Sequence, residues 1–89
     1  MPEISRFFGI VIRMYREKEV RHHRPHFHAI YADESAVFAL DPIEFLAGNI
    51  PIRQRRFVEA WAELHHQELL EDWLLLQSGE PFNKIEPLK

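Results

Sequence analysis

His26 and His28 are the residues in this chain most suited to chemistry, because they stand two apart with only Phe27 between them. On a strand, positions i and i+2 project to one face and the residue between them to the other. Two imidazoles side by side could offer a pair of ligands to zinc, copper or nickel. A third ligand would come from His22 or His23, or from a carboxylate of Glu17, Glu19 or Asp33. Of these, His23 completes the set we name for a metal: His23, His26 and His28. The same two histidines could instead serve as general acid and base in metal-independent RNA cleavage, since an imidazole titrates near pH 6.5, about where such catalysis needs it. Arg13 and Tyr15 on the neighbouring strand would then hold the phosphate. The more ordinary role is structural: histidines on a half-exposed sheet edge, bonded to the neighbouring loop or to a partner.

Arg53, Arg55 and Arg56 form a compact basic group where a helix begins. A phosphate could bind there in principle, but surface pairing with Glu59 and Glu63 is the commoner outcome. His65 and His66 are adjacent, so on a helix they diverge by about 100° and do not converge on one ion. The chain has no Walker loop, no dinucleotide fingerprint, no Ser-His-Asp order and no zinc-finger spacing.

The elements that must position these residues follow from the hydrophobic pattern. Ile4–Phe8 reads as a strand, Gly9 as a turn or bulge, and Ile10, Ile12 and Met14 alternate as a second strand. Residues 16–25 are charged and end in Pro25, which reads as a loop. Phe27–Ala32 and Ala36–Leu40 form the next two strands about a turn at Asp33–Ser35, and Asp41-Pro42 stops the last of them. Ile43–Leu46 is a short strand or a turn, and Gly48-Asn49 a breaker. Helix begins near Pro51. Phe57, Ala60, Trp61 and Leu64 make one apolar stripe; Leu69, Leu70, Trp73, Leu74 and Leu76 make a second that points nearly the opposite way. Either the chain bends near residues 65–68 into two helices, or one stripe waits for a partner. Leu70, Trp73 and Leu74 are the interface residues in that case. Ser78-Gly79 and Pro81 end the helical region, and the apolar residues of the tail dock. The expected fold is a single α+β domain over residues 1–89: a small antiparallel sheet of about four strands packed by a C-terminal helical hairpin or bent helix.

Composition narrows the partners. The net charge is −3, yet residues 1–28 carry six basic side chains (Arg6, Arg13, Arg16, Lys18, Arg21, Arg24) against Glu3, Glu17 and Glu19. The acidic remainder suits a basic protein surface, and overall acidity does not favour nucleic acid. With no cysteine, there is no disulfide framework or thiolate site. That, with the absence of a signal-peptide pattern and of an apolar run of about 20 residues, sets a cytoplasmic, non-membrane expectation. No cofactor is expected beyond a divalent metal at the histidines. A chain this short buries a modest share of its surface, so a second copy or another protein is an expected partner.

Four blocks resemble a known family: Gly9-Ile-Val-Ile-Arg-Met-Tyr15, Pro25-His-Phe-His-Ala29, Trp61-Ala-Glu-Leu-His65 running on to Glu71-Asp-Trp73, and Gly79-Glu-Pro81 running on to Ile85-Glu-Pro-Leu88. Together they resemble the bacterial domain of unknown function 4160 along essentially the whole chain. The resemblance implies a short, stand-alone protein of a family whose genes often lie beside another small gene, in the manner of toxin–antitoxin pairs. It carries no catalytic residues with it. Arg21-His22-His23-Arg24 departs from the family, whose members approach the histidine block through a short, acidic, proline-bearing stretch.

Overall fold

Alternating apolar residues build five antiparallel strands, which the computed structural model places in one meander; it describes residues 2–16 and 24–89. The strands are β1 (Glu3–Phe7), β2 (Ile10–Arg13), β3 (His26–Tyr31), β4 (Glu34–Leu40) and β5 (Ile43–Gly48), in the order β1-β2-β3-β4-β5. Two helices follow, α1 (Ile52–Leu64) and α2 (His66–Gln77). The α+β expectation holds. The stretch left open between strand and turn, Ile43–Leu46, is the core of the fifth strand.

Two-residue turns set the register of the first hairpins. Phe8 (φ 49°) and Gly9 (φ 78°) both take left-handed conformations, which match the right-handed twist of a hairpin. The β3–β4 turn lies at Ala32-Asp33, earlier than the sequence suggests, because β4 already begins at Glu34.

One face of the sheet is apolar and carries the core. Phe27, Phe38 and Phe45 sit in register across β3, β4 and β5. Phe27 and Phe38 stack with centroids 5.3 Å apart, and Trp61 of α1 meets Phe27 edge-on at 6.0 Å. On α1 the buried residues are Val58, Trp61 and Ala62; on α2 they are Leu69, Asp72, Trp73 and Leu76. Both sets reach one core because the chain breaks at His65 (φ −116°, ψ 28°). Its N–H donates to Trp61 O and its carbonyl accepts from Leu69 N–H, each at 3.0 Å. The expected bend therefore resolves the two opposed stripes.

Helix α2 runs along the strand ends. His66 Nε2–H donates to Leu40 O at the end of β4 (2.7 Å), Trp73 packs on His26 at the start of β3, and Gln77 Nε2–H donates to Tyr15 O just beyond β2 (3.0 Å). The tail docks as expected. Ile85 is buried and its N–H donates to Ile4 O (3.0 Å), which covers part of the β1 edge. Trp61 Nε1–H donates to Glu86 O (2.8 Å). Among the described residues, no helix is long and apolar enough to cross a membrane.

Asp72 is the one buried acid among the described residues, only 1% exposed. Its Oδ1 accepts the Asn83 N–H (2.8 Å), while Oδ2 has no hydrogen-bond partner. Burial raises its pKa; the Asn83 N–H lowers it in part, and Glu68 and Glu71 raise it further. A raised folded-state pKa adds stability that is whole below the ordinary carboxylate range and is lost as pH rises through the raised value. Asp72→Asn keeps an oxygen for Asn83, so its urea midpoint is expected to change less with pH across that window and to be no lower than wild type above it. Asp72→Ala instead removes the acceptor of the Asn83 N–H, at about 1 kcal/mol since water can reach the exposed Asn83. A parallel pH profile for Asp72→Asn and wild type would refute the assignment.

Candidate functional site

The histidine end of the sheet brings together residues from three elements. Arg13 closes β2 and lies opposite His28 in the β2–β3 register, while His28 faces Val37 on β4. Phe27 is buried on the core face, so His26 and His28 project to the other face, each half-buried. Their rings lie 5.4 Å apart, edge to face. Tyr15 meets His28 at 4.7 Å, and Trp73 backs His26 at 5.2 Å. Tyr15, His28, His26 and Trp73 thus form a continuous run of four rings, with Arg13 beside its middle. The four residues named as acid–base and phosphate groups (Arg13, Tyr15, His26 and His28) share one place.

His26 has a defined tautomer. Its Nδ1 lies 2.8 Å from Arg24 O. A carbonyl oxygen only accepts, so Nδ1 carries the hydrogen and the neutral ring keeps its lone pair on Nε2. That nitrogen could take a proton or bind a metal. Arg24 itself pairs at the surface with Glu44 (3.6 Å).

For a metal, the described residues contain no group of three or more His, Cys, Asp or Glu placed to hold one. His26 and His28 would offer two ligands at most. Asp33 does not join them, since it sits past the opposite end of β3. His22, His23, Glu17 and Glu19 lie outside the described residues. His65 and His66 stand at the joint between the helices, where His65 Nδ1 lies 2.6 Å from Glu68 Oε1 and His66 lies 3.7 Å from Asp41.

The arginine group disperses onto aromatic faces. Arg55 lies over Phe45 (4.4 Å) and pairs with Glu59 (3.3 Å), while Arg53 lies over Phe57 (5.6 Å). The Glu59 pairing was legible from spacing. The stacking was not, because Phe45 arrives from β5.

Of the expected interface residues, Trp73 is only 4% exposed and Leu70 packs against the core, so the chain consumes both itself. Leu74 alone projects outward, 66% exposed. The larger unpartnered surface is on α1. Phe8 is 54% exposed and its ring tilts against Phe57 at 5.2 Å. Phe8, Arg53, Gln54, Phe57, Leu88 and Lys89 line a groove of about 500 Å³. It continues past Leu88 into a second hollow of about 340 Å³ beside Leu64, which is 72% exposed. Sequence spacing missed this groove because Phe8, Phe57 and Leu88 come from a turn, a helix and the tail.

The chain matches the model of the family described as Domain of unknown function (DUF4160) over residues 9–74, from the β1–β2 turn through most of α2. The match contains the whole histidine end and all of α1. No curated protein and no solved structure matches the chain.

Proposed function

The chain belongs to the DUF4160 family, and from that premise we propose that it is a protein-interaction domain, one component of a toxin–antitoxin-like pair. The α1 groove carries this reading. The core is closed, with both tryptophans and the Phe27–Phe38 stack inside it, yet Phe8, Leu64 and the half-buried Phe57 and Leu88 border one open apolar surface. Large apolar groups left on a finished core mark a place where another protein sits. The test is co-expression of the untagged chain with the tagged product of the neighbouring gene. A stable complex together with altered growth supports the pair; a monomer that ignores that product overturns it.

The histidine end favours a second reading, an endoribonuclease. His26 Nε2 would take the proton from a ribose 2′-OH as its oxygen attacks phosphorus, and His28 would protonate the departing 5′-oxygen. Arg13 would neutralise the phosphate. The product is a 2′,3′-cyclic phosphate, and the balance needs no further reactant. Positioned acid–base groups contribute about 10²–10⁴-fold. The double variant His26→Ala/His28→Ala is therefore expected to abolish RNA cleavage and any growth arrest while still binding the partner. Undiminished arrest in a folded double variant would rule this chemistry out.

A further inference from the structure

We propose that the groove beside α1 receives an acidic amphipathic segment of the partner protein, in which aspartate or glutamate flanks bulky apolar side chains. This rests on the paired-module reading above and specifies its surface.

The floor is apolar at a spacing that suits a helix or a strand. Val58, Trp61 and Ala62 turn α1 toward the sheet. Phe57 and Leu64 stand seven positions apart on its flank, with exposed Ala60 between them. Seven residues of helix rise about 10 Å, a span that two anchors on a docked segment can match. Phe8 extends this surface at the Phe57 end, and Leu88 joins its two hollows.

The charge at the rim selects the occupant. The chain carries −3 overall, yet Arg53 and Lys89 line the larger hollow with no aspartate or glutamate among its lining residues. Arg53 lies over the Phe57 ring, which places its guanidinium beside the apolar floor. A planar guanidinium there can take a carboxylate in a two-pronged contact. Lys89 also lies 3.6 Å from Glu86 of the second hollow, so the excess positive charge of the larger hollow rests on Arg53. A basic segment would meet this guanidinium unfavourably, whereas an acidic one gains both affinity and approach rate.

A second copy is the competing occupant, since Glu71 and Leu74 are exposed on α2. A two-fold dimer would make that contact twice, and it would show as concentration-dependent self-association.

The test measures affinity of the purified chain for the tagged neighbouring-gene product. Variants are Arg53→Glu/Lys89→Glu, Phe8→Ser and, as a control outside both hollows, Glu80→Gln, each checked for an unchanged thermal melt. The charge-reversed pair is expected to weaken binding at least tenfold and to remove most of its salt dependence. Phe8→Ser should weaken it comparably, and Glu80→Gln should leave it unchanged. Wild-type affinity in both groove variants overturns the groove but leaves the paired module standing. No complex with wild type overturns both. Concentration-dependent self-association that Arg53→Glu/Lys89→Glu abolishes assigns the groove to a second copy, and overturns the partner segment.

Discussion

Trp61→Ala is expected to lower stability by about 3–5 kcal/mol, the range for emptying a buried tryptophan site. Trp61 is fully buried, 5.2 Å from Phe7 and edge-on to Phe27. It also fixes the tail through its indole N–H to Glu86 O. One side chain therefore joins β1, β3, α1 and the tail. Small domains sit toward the low end of the usual 5–15 kcal/mol, so the variant should be close to half unfolded without denaturant. Trp61→Phe keeps most of the ring and lets water replace the indole at Glu86, which is exposed, so it should cost about 1 kcal/mol for the hydrogen bond plus a smaller packing term. Leu74→Ala, on the exposed flank of α2, should stay within about 0.5 kcal/mol of wild type. Urea melts of the three variants give the comparison, and a wild-type midpoint for Trp61→Ala would contradict the packing described.

That ranking could not have been read from spacing alone. Ile10, Ile12 and Met14 alternate clearly, and their strand was legible because period two admits one face to the core. Ile43–Leu46 was ambiguous. At a sheet edge Glu44, Leu46, Ala47 and Gly48 are all exposed, so β5 lacks the clean alternation of a half-buried strand. The two helical stripes were legible as stripes, and their opposition required the break that His65 provides. Their assignment was not legible. Periodicity cannot say which of two apolar faces meets the sheet, and Trp73 is covered by His26, a residue of β3 that only tertiary folding brings near.

The site divides the same way. His26 and His28 were legible as a same-face pair because their relation is local. Their neighbourhood with Arg13 and Tyr15 depends on the β2–β3 register across the 16–25 stretch, which spacing does not fix. The structure supplies that register and Trp73. The tautomer of His26 rests on a carbonyl at Arg24, a main-chain acceptor that no side-chain motif encodes.

Gly48→Ala is expected to be comparably damaging although it removes nothing. Gly48 has φ +97°, where an L side chain is strained, and such strain costs about 1–3 kcal/mol. A Cβ there would also stand 2.7 Å from Ala36 Cα and closer still to Ser35 O. These are backbone atoms of the paired strand, so no side chain can rotate away. The end of β5 must peel from β4, weakening the Asn49 N–H to Ser35 O bond (2.9 Å) and the Asn49–Glu34 side-chain contact. A total of about 3 kcal/mol or more follows when the overlap is added to the strain. Gly79→Ala is the matched comparison. It too has positive φ (+75°), but its Cβ would meet only the mobile end of Arg16 at 3.4 Å, so the conformational strain alone remains, about 1 kcal/mol. The difference should reach the proposed function as well. β5 carries Phe45, on which Arg55 of α1 lies, and α1 forms one wall of the groove. Gly48→Ala should therefore lower both the urea midpoint and the affinity for the partner, while Gly79→Ala lowers the midpoint slightly and spares binding. Equal midpoints for the two variants would mean that the β4–β5 pairing does not crowd Gly48 as described.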